Sequence, residues 1–241
     1  MLLHTLLMAA GTQQQGPDGL FFIGGTTDFT DQGTFTSSKT TTGLSIGTPF
    51  PDRKIIAAAK LATTFHGGGG NAAFDSLTLD GTAMTLVATA KAASAEDIVG
   101  IFQMHKENGT SADFVMSCKN SSTGSALNYH SGGLAIYTTY GKATSAHDTE
   151  TVNSSTSPLD AEITCEGGGV IVAVGGDRGD DPDQSTFNNL TKDFGAVCNS
   201  LIISASLAPA TTQTNLDIDY SFDEGASVGS GCVAAVSWSK A

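Results

Sequence analysis

The stretch NLDIDYSF at residues 215–222 shows which kind of secondary structure this chain favours. Leu216, Ile218 and Tyr220 alternate with two aspartates. A period of two sends successive side chains to opposite faces of a β-strand, whereas a helix repeats every 3.6 residues. The stretch therefore predicts a strand with one face in the core and one face in solvent.

Similar runs recur along the chain and are separated by turn signals. Residues 170–174 (VIVAV) are continuously apolar, which is typical of a strand buried on both faces. The dipeptides Asp80-Gly81 and Asn108-Gly109 are typical of two-residue hairpin turns. Only the segment 89–97 fits a helix, and it is short and uncapped. The sequence predicts an all-β fold, an antiparallel β-sandwich resembling a jelly roll.

The composition agrees with this prediction and limits the possible partners. The 241 residues include 29 Gly, 31 Thr and 24 Ser, which favour strands joined by tight turns. The formal net charge is −13, so the chain has little to neutralise phosphates with, and we expect neither nucleic acid nor an anionic membrane as a partner. No run of about 18 apolar residues predicts a membrane-spanning helix.

The N-terminal segment differs in character from the rest. It is apolar but lacks the positively charged start of a secretory leader. We expect an arm over residues 1–32, of which residues 1–15 dock on a neighbouring copy or another protein, followed by the sandwich domain over residues 33–241. The side chains predicted to anchor this assembly are Leu2, Leu3, Leu6, Leu7 and Met8.

One acidic loop is a candidate cation site. Its carboxylates could supply the hard oxygen ligands that Ca²⁺ prefers, although their spacing differs from that of an EF-hand and a solvated turn is the competing interpretation. The candidate ligands are Asp177, Asp180, Asp181 and Asp183. Any binding of Ca²⁺ there should be weak.

Candidate catalytic patterns are few. Ser45 and Ser227 each lie in a G-x-S-x-G sequence, but neither is followed by the helix and the triad partners of a nucleophile elbow. A paired-carboxylate site of the glycosidase kind could form from Asp217, Asp219, Asp223 and Glu224, although an alternating strand more often places such residues on a solvated face. We therefore predict no enzyme activity, no catalytic residue and no cofactor.

The four cysteines are dispersed, without a C-x-x-C pair or a Cys/His cluster. They are Cys118, Cys165, Cys198 and Cys232. Each lies in or beside a strand-like run, where a thiol behaves as a small apolar group. We expect reduced and mostly buried thiols, as in a protein assembled in a bacterial cytoplasm; the alternative is two disulfides, as in a secreted protein.

Four segments carry a resemblance to a known family. They are IGT at 46–48 with PDRKIIAA at 51–58, SLTLDGTAM at 76–84, LAIYTTYG at 134–141, and GGGVIVAV at 167–174. In order and spacing they resemble a family of bacteriophage virion proteins encoded among tail and fibre genes in phages of environmental bacteria. The resemblance implies a β-sandwich structural subunit without known catalysis.

From this resemblance and the composition we predict a structural subunit of the virion, assembled in the host bacterial cytoplasm. A tail, baseplate or fibre component is favoured. The alternatives are a capsid decoration protein, such as a head fibre or cement protein, and a carbohydrate-binding sandwich. The predicted partners are other virion proteins and further copies of the chain, with a trimer favoured, together with a host surface glycan.

Overall fold

The computed structural model describes residues 19–29, 37–63, 72–92, 97–127, 131–177, 185–197, 201–222 and 230–241. Every regular element in these ranges is a strand, and every strand pair is antiparallel. The strands are β1 (Gly19–Thr26), β2 (Ser38–Ser45), β3 (Lys54–Ala62), β4 (Ala72–Leu79), β5 (Thr82–Ala83), β6 (Thr85–Lys91), β7 (Asp97–His105), β8 (Ser111–Asn120), β9 (Ser131–Tyr140), β10 (Asp148–Ser154), β11 (Glu162–Cys165), β12 (Val170–Asp177), β13 (Thr186–Phe187), β14 (Thr191–Val197), β15 (Leu201–Leu207), β16 (Gln213–Asp217), β17 (Tyr220–Ser221) and β18 (Gly231–Trp238).

The strands form three main sheets that stack face to face. Sheet 1 has the order β2-β8-β4-β5, sheet 2 the order β1-β9-β3-β7-β6, and sheet 3 the order β10-β18-β12-β15-β14. Two small sheets, β11-β16 and β13-β17, complete the described strands. The prediction of an all-β antiparallel sandwich is confirmed, and the stack has more layers than the two of a jelly roll.

Sheet 2 is the middle layer because both of its faces are apolar. On β3, Ile55 and Ala57 pack in one core cluster with side chains of sheet 1, whereas Ile56 and Ala58 pack in a second cluster with side chains of sheet 3. A third cluster joins the other face of sheet 3 to the small sheets. Residues 170–174 are buried on both faces as predicted, because β12 lies between the second and the third cluster.

One of the two predicted hairpins is confirmed. Asp80 and Gly81 have φ angles of 48° and 76° and join the paired strands β4 and β5. The prediction for Asn108-Gly109 is wrong, because the turn leads from β7 in sheet 2 to β8 in sheet 1. Both edges of β7 are already hydrogen-bonded, to β3 and to β6, so no edge remains for β8.

The segment 89–97, the one stretch compatible with a helix, is not helical in its described residues. Thr89 lies in β6 and Asp97 begins β7, while residues 93–96 lie outside the described residues. Along β6, Ala88 and Ala90 are buried and Thr89 is exposed, which is the alternation of a strand. The run of small residues is compatible with either structure, and pairing with β7 decides the outcome.

A fully buried arginine connects two loops at one end of sheets 1 and 2. Arg53 precedes β3, and its guanidinium donates to the main-chain oxygens of Lys106 at 2.7 Å, Asn108 at 2.7 Å and Gly109 at 2.9 Å. It also donates to the main-chain oxygens of Gly47 at 2.9 Å and of Ile46 at 3.4 Å. The loops before β3 and after β7 are thus held by one side chain.

The described part of the predicted N-terminal arm belongs to sheet 2. Residues 19–26 form β1, which pairs along β9 from Gly19↔Tyr140 to Thr26↔Leu134. Residues 1–18, which include the predicted anchor side chains from Leu2 to Met8, lie outside the described residues.

Candidate functional site

The edge strand β1 is the least protected strand edge among the described residues. Its sequence, GLFFIGGT, contains neither a charge nor a proline, and it ends the strand order of sheet 2. The side chains of Phe21 and Phe22 are 41% and 37% exposed. An apolar edge strand with unpaired backbone groups is a template for pairing with another chain.

Aromatic contacts hold β1 in place on β9. The ring of Phe22 lies 5.4 Å from that of Tyr137, and the ring of Phe21 lies 6.0 Å from that of Tyr140, measured between centroids. At Gly25, a Cβ atom would come within 2.5 Å of the Phe194 ring of β14, so only glycine fits there without displacing that ring. The partly exposed phenylalanines therefore lie on a fixed support.

Most of the other main-sheet edges carry the charged residues that normally discourage pairing. Lys39 lies on β2, Lys91 ends β6, Glu150 lies on β10 and Lys192 lies on β14, while β5 has only two residues. Such charges and very short edges are protections against edge-to-edge association. On β1 the one such device is the bulge between Phe22 and Gly24.

A polar network lies directly behind the exposed edge. The Tyr137 hydroxyl donates to Asp193 Oδ2 at 3.0 Å and lies 2.8 Å from the Ser204 hydroxyl, while Ser206 donates to the same carboxylate oxygen at 2.6 Å. Burial raises the pKa of Asp193, and burial together with the nearby carboxylate raises the pKa of Tyr137 well above 10. These bonds tie β9 to β14 and β15, so the network joins sheets 2 and 3.

The structure describes only one ligand of the predicted calcium loop. The Asp177 side chain is buried, and its Oδ2 accepts hydrogen bonds from Tyr220 and, at 3.2 Å, from Ser185. Burial, followed by the Asp177 charge, raises the pKa of Tyr220 well above 10. Asp180, Asp181 and Asp183 lie outside the described residues, so the calcium prediction stays a prediction.

Two of the four candidate glycosidase carboxylates are described, and both bind the backbone: Asp217 ends β16 and Asp219 lies just before β17, whereas Asp223 and Glu224 lie outside the described residues. Asp217 Oδ1 accepts from the amide of Asp219 at 3.0 Å, and Asp219 Oδ1 accepts from the amide of Ala161 at 2.9 Å. Burial is the main reason that the pKa of Asp219 is raised. The described part of the chain contains no group of three or more His, Cys, Asp or Glu side chains able to hold a metal ion.

The structure describes one of the two serine motifs. Ser45 ends β2 and pairs with Ser111, and residues 46–50 after it are not helical. Ser227 lies outside the described residues. No helix in the described ranges has the length and apolarity needed to cross a membrane.

A cleft of about 320 Å³ opens at the end of β3, and its lining includes Asp52, Lys54, Gln103, His105 and Lys142. Their polar atoms bind the protein itself. Lys54 Nζ donates to the carbonyl of residue 143 and lies 5.4 Å from the centroid of the buried Trp ring of β18. Lys142 Nζ donates to a main-chain oxygen at 2.9 Å, and Asp52 accepts from an amide at 2.6 Å. Because these groups are already engaged, the cleft offers a ligand few open donors.

Three of the four thiols are described, and all three are buried as predicted. They belong to Cys118, Cys165 and Cys232, and none forms a disulfide. Burial raises the pKa of Cys118 and of Cys165 to about 11. Cys198 lies outside the described residues. That the thiols stay reduced remains a prediction.

Comparison of the chain with protein-family models, with curated proteins and with solved structures gives no match. The resemblance to virion proteins therefore stays an expectation based on the sequence segments. The sequence reasoning missed the apolar edge, because it assigned Leu20–Ile23 to an arm outside the sandwich. The signal that could have found it is the uncharged run GLFFIGGT itself.

Proposed function

We propose that this chain is a structural, non-enzymatic subunit of a bacteriophage virion that assembles through the free edge of β1. A tail, baseplate or fibre component is the favoured role, with capsid decoration as the alternative. The observation that carries the proposal is the uncharged edge strand with exposed Phe21 and Phe22. The stack of antiparallel sheets and the four family-like segments support it.

Strand addition at this edge can supply both affinity and register. An added strand satisfies the outward-facing amides and carbonyls of β1, and its side chains cover Phe21 on one face and Phe22 on the other. Removing apolar surface from water contributes about 25 cal/mol per Å² before ordering costs. The predicted anchor residues Leu2 to Met8 precede β1 in the chain, and we propose that they join the same interface.

The symmetry of the assembly follows from the partner of β1. Pairing of β1 with β1 of a second copy is self-complementary and gives a two-fold dimer. A trimer, the predicted state, requires β1 to pair with a different surface of the next copy, so that three heterologous contacts close a ring. Counting the copies therefore distinguishes the two arrangements.

The experiment replaces both aromatic side chains by a residue that keeps strand propensity, in the double variant Phe21→Thr/Phe22→Thr. The matched control is Leu86→Thr, because Leu86 is also 41% exposed but lies on β6 at the opposite edge of sheet 2. Size-exclusion chromatography with light scattering gives the number of copies. We expect the double variant to lose the wild-type oligomer at concentrations where the control retains it.

An oligomer that survives the double substitution unchanged contradicts assembly through β1. The role in the virion has its own readout, which is mass spectrometry of purified and fractionated particles. We expect the chain in the tail or fibre fraction. If the chain is absent from particles but the double variant still loses its oligomer, the virion role is wrong and the β1 interface stands.

A further inference from the structure

A buried lysine and a buried aspartate meet between sheets 2 and 3. Lys60 lies near the end of β3 and Asp97 begins β7, and the register Lys60↔Val99 and Ala62↔Asp97 makes them diagonal neighbours on one face. Lys60 Nζ lies 3.2 Å from Asp97 Oδ1, and the two side chains are 0% and 2% exposed. Water does not reach this pair.

The surroundings hold the lysine amine beside the carboxyl group. Lys60 Nζ also donates to the main-chain oxygen of Asp177 at 3.1 Å. Gly176 of β12 leaves the space that the lysine chain occupies, since a Cβ there would lie 3.1 Å from its Cε. The Cys232 sulfur lies 3.8 Å from the main-chain oxygen of Asp97. The amine therefore has few directions in which it can move.

We propose that Lys60 and Asp97 form an intramolecular amide bond. The reaction consumes the ammonium of Lys60 and the carboxylate of Asp97, so the two opposite charges disappear from the apolar interface in the product. The amine nitrogen attacks Cγ of Asp97, the bond from Cγ to one Oδ breaks, and that oxygen leaves as water with two protons. One amide and one water form, and nothing is oxidised or reduced.

The other buried lysine of β3 is the internal comparison. Lys54 lies six residues away on the same face of the strand, at the opposite end of the same core. Its Nζ donates to the carbonyl of Ala143 and lies over the Trp238 ring. An amide carbonyl and an indole cannot be acylating partners, so Lys54 keeps its amine. Both lysines are buried, and Lys60 differs from Lys54 in having a carboxyl group beside its amine.

The bond would join the two central strands β3 and β7 of sheet 2. It would close a loop that runs from residue 60 to residue 97, and a cross-link of that kind restricts the unfolded chain. Strand β3 would then resist separation from β7 even when its hydrogen bonds open. Such a brace would suit a subunit that must withstand force or heat.

The test is mass spectrometry of the full-length protein, purified in its folded state and then denatured. We expect a mass lower than that of the sequence by one water, and a branched peptide that joins residues 60 and 97 after proteolysis. An Asp-Gly pair such as Asp80-Gly81 can also lose water by forming an imide, so the branched peptide is the deciding readout. An amine reagent added to the denatured protein should modify Lys54 and leave Lys60 unmodified.

Two variants complete the test. Asp97→Ala should restore the missing water and make Lys60 reactive in the denatured protein, whereas Lys54→Met should keep both the missing water and the branched peptide. A wild-type protein whose Lys60 is labelled on denaturation, with no branched peptide, overturns the proposal and leaves an ion pair. If Asp97→Ala does not fold, peptide mapping of the wild-type protein alone decides the question.

Discussion

Replacing Arg53 by alanine should lower the free energy of unfolding by about 4 kcal/mol. The guanidinium makes four hydrogen bonds of 2.7–2.9 Å to main-chain oxygens and one of 3.4 Å. A bond to a charged donor is worth about 1.5–3 kcal/mol, and water entering the vacated site recovers part of it, so we assign about 1 kcal/mol to each of the four short bonds. Burial lowers the pKa of Arg53, but the side chain stays charged.

A conservative variant separates geometry from charge. Arg53→Lys keeps the positive charge but offers three donors instead of five and no planar fork, so about half of the loss, roughly 2 kcal/mol, should remain. The control is Lys106→Ala in the same loop. The Lys106 ammonium pairs with Asp80 at 2.7 Å in a partly exposed ion pair, which is worth about 0–1 kcal/mol.

The assay is urea unfolding, with hydrogen exchange as a local readout. The midpoint should fall for Arg53→Ala with little change in slope. Exchange should accelerate at the amides of Ile46 and Lys106, which donate to the carbonyls of Thr110 and Arg53. If Arg53→Ala unfolds within about 1 kcal/mol of the wild type, as expected for the control, then the loops do not depend on the guanidinium.

The remaining predictions concern titration and thiol reactivity. Burial lowers the pKa of Lys54 from 10.5 to about 8, so between these pH values the unfolded chain binds the extra proton and the free energy of unfolding due to this group rises with pH. Lys54→Met should remove that rise. The measurement is the change in urea midpoint between pH 8 and pH 10, which should be more positive for the wild type than for the variant; an equal change in both proteins contradicts the prediction. Cys118, Cys165 and Cys232 should react with a maleimide far more slowly in the folded protein than in urea at pH 7.5, because burial raises the pKa of each thiol; peptide mapping gives each rate, and fast native labelling refutes the burial.

The strands could be predicted from the sequence where one face is wet or where the run is strongly apolar. In residues 215–222 the alternation of burial is confirmed, since Ile218 and Tyr220 are buried and Asp217 is exposed. The prediction of one continuous strand is wrong, because residues 218–219 separate β16 from β17 and these two strands belong to different small sheets. The apolar run that begins at Asp97 forms strand β7 as far as His105. Local periodicity is sufficient here because it depends only on which way neighbouring side chains point.

The stacking of the sheets could not be predicted in the same way. The run from Lys54 to Ala62 is buried at every position, lysines included, because sheets cover both faces of β3. A continuous apolar run has no phase that identifies its two neighbours. The hairpin prediction for Asn108-Gly109 is wrong for a related reason. A turn dipeptide does not reveal that both edges of the preceding strand are already paired.

At the two sites where we propose chemistry or assembly, the buried strand carries charged residues and the exposed edge strand carries none. Strand β3 carries Lys54 and Lys60 and is fully buried, whereas β1 carries no charge and exposes Phe21 and Phe22. Buried lysines and exposed apolar edges each cost stability or solubility unless a partner compensates them. The Trp238 ring with a carbonyl and the Asp97 carboxyl are the partners of the two lysines inside the chain. No described residue plays that part for the edge of β1, and the partner we propose for it is therefore a second chain.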